Sequence, residues 1–110
     1  MSTMTKLQEY SFEIIANVGE AKSYAFEALN AAKSGNKKLY DENIEKAEEM
    51  MNSAHKIQFD LLAQEAQNKL EDAQFSILVV HAQDHLMTTL STIELIKELA
   101  QLYLKEQNTK

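Results

Sequence analysis

A chain of 110 residues with no proline and only two glycines carries very little that can stop a helix. Proline would remove a backbone donor and clash with the preceding turn, and glycine costs a helix interior about 1 kcal/mol. Ala, Leu, Glu, Lys, Gln and Met, all good helix formers, abound, while β-branched residues are scattered. The clearest interruption is Ser34-Gly35-Asn36, where Gly35 can take the left-handed conformation that ends a helix and Lys33 favours its C-terminus. A weaker one falls at Gln67-Asn68-Lys69, with Asn68 as a left-handed residue and Asp72 as an N-cap. The pattern predicts an all-α, antiparallel three-helix bundle, one domain over 1–110, with helices roughly at 4–33, 37–67 and 72–106.

Each segment has a face. Leu7, Ile14, Val18, Ala21, Ala25, Ala28 and Ala32 recur at helical spacing, and the alanines invite a close neighbour. Gly19, inside that helix, is read as a further close helix contact. Tyr40, Ile44, Ala47, Met51, Ala54 and Leu61 share a face of the second segment, with Glu42, Glu45, Lys46, Glu48 and Glu49 mostly on its solvated side. The third segment has two stripes. One is Phe75, Val79, Ala82, Leu86, Ile93, Ile96, Ala100 and Tyr103; the other is Ile77, Val80, Asp84, Met87, Ser91, Leu95 and Leu102. A helix with two apolar faces buries one in its own bundle and the other elsewhere, and a second copy of the chain is the expected partner.

Charge excludes some functions. The net charge is −6 and there is no arginine, so the chain repels polyanions and lacks the bidentate fork that reads phosphate or guanine. Nucleic acid is not an expected partner. The absence of cysteine rules out thiol chemistry and suits a reducing compartment. No secretory leader pattern or apolar run of about 18 residues is present, so the sequence reads as cytoplasmic, without membrane insertion.

The chemistry concentrates in Ile77-Leu78-Val79-Val80-His81-Ala82-Gln83-Asp84-His85-Leu86-Met87. His81, Asp84 and His85 sit at i, i+3 and i+4 and are neighbours on a helix. Burying them among Val, Leu and Ile costs several kcal/mol unless each has a partner or a task. Three readings stand. The histidines can be hydrogen-bonded core residues, the reading also given to His55. They can be ligands of a transition metal, although Ala82 stands where a zinc protease needs its general base, and Asn52 spoils a di-iron pattern with His55. Or His81 can be a nucleophile that carries a phosphoryl group on nitrogen, with His85, Gln83 or Thr88 donating to the phosphate.

Val80-His81-Ala82-Gln83-Asp84-His85-Leu86-Met87-Thr88 resembles the active-site signature of the lactose/cellobiose-type enzyme IIA of the bacterial sugar phosphotransferase system. The resemblance extends to Gly19-Glu20-Ala21-Lys22-Ser23, Glu27-Ala28-Leu29, Ala32-Lys33-Ser34-Gly35, Ala54-His55 with Gln58, and Glu65-Ala66. It implies a three-helix bundle that trimerises into nine helices. It also implies that His81 takes phosphate on Nε2 from the histidine phosphocarrier protein and yields it to a cysteine of the IIB component. Asp84 would then be the carboxylate that each subunit gives to one shared Mg²⁺. Three such carboxylates on a three-fold axis would repel, and a hard divalent cation removes the repulsion. His85 and Gln83 are the supporting residues.

The sequence departs from that family at Lys22, where Arg is usual, and at Phe59 and Ala63, where polar residues are commoner. A β-linked disaccharide is the expected cargo of the system, cellobiose or diacetylchitobiose ahead of lactose because Ala82 follows the histidine. The competing reading is a non-catalytic helical assembly module whose His81, Asp84 and His85 bind metal.

Overall fold

A computed structural model of the chain describes residues 5–67 and 77–108. Among these residues all regular structure is helical: α1 Lys6–Lys33, α2 Lys37–Ala66 and α3 Ile77–Asn108. Asn68, Asp72 and Phe75, to which the sequence assigns a turn, a cap and a core position, lie outside the described residues.

Thr5 opens α1 with a reciprocal capping box. Its hydroxyl accepts from Gln8 N at 3.1 Å, and the Gln8 side chain accepts from Thr5 N at 3.1 Å. The box satisfies two of the amides that a helix start leaves unpaired. At the other end Gly35 takes φ 75°. Asn36 N then donates to Ala31 O at 2.9 Å and Gly35 N to Ala32 O at 3.0 Å. This is the paired closure that a left-handed residue allows. Asn36 starts α2 in turn, its side chain accepting from Leu39 N at 3.1 Å.

Helix α1 lies between the other two. It packs along α2 and α3, whereas α2 and α3 barely meet. The three long helices form an elongated body, 60 × 28 × 19 Å, with a radius of gyration of 17.2 Å, against about 13 Å for a compact domain of this length. The core follows the faces read from the sequence, except that Tyr103 is exposed and Leu7, Tyr40 and Val79 are only half-buried. Ile14, Val18, Ala21, Ala25, Ala28 and Ala32 of α1 are buried, with Ile44, Ala47, Met51, Ala54 and Leu61 of α2 and Ala82, Leu86, Ile93, Ile96 and Ala100 of α3. Alanines at the centre of all three faces let the backbones approach, as the stripe predicts.

Two expectations are corrected. Among the described residues Gly19 makes no close helix contact: it is exposed, and a Cβ built there meets nothing within 4 Å. His55 is not a core residue. It is half-buried and lines an open surface hollow with Lys56, Gln58, Phe59 and Leu62.

Candidate functional site

Helix α3 is seated on α1 through Ala82, Leu86, Thr89 and Ile93, all buried. That anchoring fixes where every other side chain of the run points. At about 100° per residue, His81 and His85 fall on one flank, Gln83 on the opposite flank, and Asp84 on the outward face.

The two imidazoles meet. His85 Nε2 lies 3.0 Å from His81 Nε2, and the rings stand edge to face, centroids 4.3 Å apart with an interplanar angle of 84°. His81 is exposed and His85 half-buried. A hydrogen bond between two Nε2 atoms requires one N–H and one lone pair, so the rings hold different tautomers. With His85 as donor, the His81 Nε2 lone pair accepts, and His81 carries its own proton on Nδ1. Below them, Thr88 Oγ1 donates to Asp84 O at 2.7 Å, and Thr92 Oγ1 donates to Thr88 O at 2.9 Å. Both hydroxyls are thus turned back on their own helix.

Gln83 does not join the histidines. It lies on the α2 side, where the Gln58 side-chain amide donates to its Oε1. Positions two apart on a helix do not face each other, so the spacing already contained this separation. What it could not contain was the partner, 25 residues away in α2. In the sequence, Gln58 stands out only through the family resemblance.

Asp84 is exposed, and its carboxylate has no hydrogen bond or ion pair among the described residues. It stands amid Val80 and Met87, 36% and 60% exposed. Among the described residues no group of three or more His, Asp or Glu side chains could hold a metal ion. Within one chain, His81, Asp84 and His85 form no such cluster among the described residues.

Among the described residues the chain is an all-helical domain with an imidazole pair in contact near the start of α3. The chain belongs to the family described as the PTS system lactose/cellobiose-specific IIA subunit, whose model matches residues 9–104. It is 47% identical over 100 residues to the lactose-specific EIIA component of Staphylococcus epidermidis, covering 91% of this chain and 94% of that one. The oligo-beta-mannoside-specific EIIA component of Bacillus subtilis is 41% identical over 96 residues, with 87% and 86% covered. Among solved structures, the cellobiose-specific enzyme IIA from Bacillus anthracis superposes with a TM-score of 0.89 at 40% identity, covering 98% and 97% of the two chains. The Escherichia coli IIA(Chitobiose)-HPr complex contains a chain with a TM-score of 0.77 at 34% identity, with 92% and 96% covered.

Proposed function

We propose that this chain is a cytoplasmic phosphoryl carrier of a sugar phosphotransferase system, with His81 as the residue that is phosphorylated. The observation that carries the reading is the exposed His81, whose Nε2 lies 3.0 Å from His85 Nε2 on a helix packed against α1. In the accepting step the His81 Nε2 lone pair attacks the phosphorus of the donor's phosphohistidine. A new N–P bond forms, and the donor's N–P bond breaks with its electron pair left on the donor imidazole. His85, displaced as the partner of that lone pair, turns its N–H toward a phosphoryl oxygen. In the second step the sulfur of a IIB cysteine attacks, and His81 keeps the electron pair of the breaking bond. The donor is the histidine phosphocarrier protein, in line with the HPr complex of the similar Escherichia coli chain. No helix among the described residues is long and apolar enough to cross a membrane, which suits a shuttling component.

The cargo is a β-linked disaccharide, cellobiose or diacetylchitobiose ahead of lactose. The names of similar proteins span lactose, oligo-beta-mannoside, cellobiose and chitobiose, and their common element is the β-linkage. The working form is a homotrimer of nine helices. Asp84 is the residue that would hold Mg²⁺: an unpartnered outward carboxylate supplies too few of the six oxygens the ion wants, and three symmetry-related copies supply a fitting set. The ion, when bound, cancels the repulsion among the three carboxylates; the phosphoryl steps belong to the histidines.

Incubation with phosphoenolpyruvate, enzyme I and the phosphocarrier protein, followed by intact mass, tests the assignment. One acid-labile phosphate per chain is expected, and none on His81→Gln with unchanged helicity. Full phosphorylation of that variant would move the nucleophile to His55 or His85.

A further inference from the structure

The same two nitrogens have a second use that the carrier reading does not require. We propose that His81 and His85 form a two-nitrogen chelate for a borderline transition-metal ion such as Zn²⁺, Ni²⁺ or Cu²⁺, and that the bound ion blocks phosphoryl acceptance. The second clause rests on His81 being the phosphoryl acceptor; the first stands on geometry alone.

An imidazole binds such metals at about 2.0–2.1 Å, so two nitrogens on one ion lie about 2.9 Å apart at a right angle and about 3.3 Å apart at the tetrahedral angle. The observed separation of 3.0 Å falls between these. The rings already present Nε2 to Nε2, and helix α3 holds their spacing at one turn. Binding needs only that the shared proton leave and that the exposed His81 ring swing slightly so both lone pairs aim at one outward point. Imidazole suits Zn²⁺, Ni²⁺ and Cu²⁺, whereas Mg²⁺ prefers oxygen. The chelate is therefore distinct in place and in chemistry from the Asp84 carboxylate on the outward face.

No third protein ligand stands close: groups of three His, Asp or Glu that could hold a metal are absent among the described residues. Thr88 Oγ1 is committed to the carbonyl of Asp84. Water fills the remaining positions, which makes the ion exchangeable, unlike a structural metal in a closed four-ligand site. An ion on His81 Nε2 takes the lone pair that would attack phosphorus, so the metal-bound carrier is silent until the ion leaves.

With three histidines and no cysteine in the chain, the assignment can be made cleanly. The unphosphorylated wild type, His81→Ala, His85→Ala and His55→Ala are each titrated with Zn²⁺ and followed by imidazole proton resonances and calorimetry, with Mg²⁺ as the hard-ion control. One Zn²⁺ per chain is expected for the wild type and for His55→Ala. Loss of that binding is expected in each of the other two variants, at unchanged helicity, and Mg²⁺ should leave the imidazole signals in place. Undiminished binding by either single variant, or loss in His55→Ala, overturns the chelate. In a second arm, separately phosphorylated phosphocarrier protein is mixed with chain loaded or unloaded with Zn²⁺. The unloaded chain should gain phosphate and the loaded chain should not, with recovery after EDTA; inhibition should weaken in His85→Ala. Equal transfer to loaded and unloaded chain overturns the blocking step. An unloaded wild type that accepts nothing would sink the carrier reading while the titration still decides the chelate.

Discussion

Glycine in a helix interior is worse than alanine by about 0.5–1 kcal/mol, and nothing packed against Gly19 among the described residues offsets that cost. Gly19→Ala should therefore raise stability by about that amount, seen as a higher denaturant midpoint with an unchanged slope. Destabilisation instead would mean that a neighbour outside the chain needs the space. The histidine pair gives the complementary case, in which a side chain is expected to matter for rate. His85→Ala should slow phosphoryl acceptance roughly 10–100-fold, by analogy with losses at supporting shells, while His81 still accepts. An unchanged transfer rate would return His85 to ordinary packing. The pair was legible in the sequence because spacing i, i+4 on a helix with no breaker after it has one geometric outcome. Gln83 was less so: adjacency in the motif suggested a helper, yet the helix turns it toward α2 and away from its own chain's His81.

Between elements the sequence spoke unevenly. Periodicity found all three core faces, and Gly35 with Lys33 found the end of α1, because these signals are local. Contacts that join helices left no such trace. Gln58 to Gln83 and Lys97 to Glu48, at 3.5 Å, are polar links across the thin α2–α3 edge, and each partner looks like an ordinary surface residue in its own helix. The ion pair is about half exposed, so Lys97→Ala should cost no more than about 1 kcal/mol. The amide pair is half-buried, and a double-mutant cycle with Gln58→Ala and Gln83→Ala should give a coupling of about 0.5–1.5 kcal/mol by chemical denaturation; no coupling would mean the edge is held by apolar contact alone. Tyr10 joins α1 to α2 by donating to Asp60 Oδ2 at 2.8 Å. That hydrogen bond to a carboxylate holds the phenol above the usual tyrosine value, with desolvation adding to the effect. The folded state thus favours the protonated phenol. Its contribution is fully present below about pH 10, the unfolded value, and is lost as pH rises through the higher folded value. Alkaline unfolding curves of wild type and Tyr10→Phe should differ less and less above that pH, and a difference that grows there would refute the assignment.

At the scale of the whole molecule the unfinished surface is the outward face of α3. Ile77, Met87, Leu95 and Leu102 are 85%, 60%, 64% and 65% exposed, because α1 covers the opposite face and α2 reaches only the edge. An apolar stripe running the length of a helix marks an interface, and among the described residues α1 and α2 leave this one exposed. Three copies joined along this stripe, as proposed, would bring three Asp84 carboxylates together on the axis, where a shared Mg²⁺ would offset their repulsion. Removing the charge should then leave the assembly standing. Asp84→Leu deletes both the repulsion and the need for an ion, and replacing buried ionic groups by apolar ones is often neutral or stabilising. Stripping metal from the unmutated protein differs, since it leaves three uncompensated carboxylates among Val80 and Met87. Light scattering should report three chains of 12.5 kDa for wild type with Mg²⁺ and for Asp84→Leu with or without EDTA. The chelated wild type should show partial dissociation or a lower melting temperature. A wild type that stays trimeric and equally heat-stable after verified metal removal would dismiss the ion as a fastener, and a wild type that is monomeric in Mg²⁺ would dismiss the trimer, leaving the exposed stripe of α3 to a different protein.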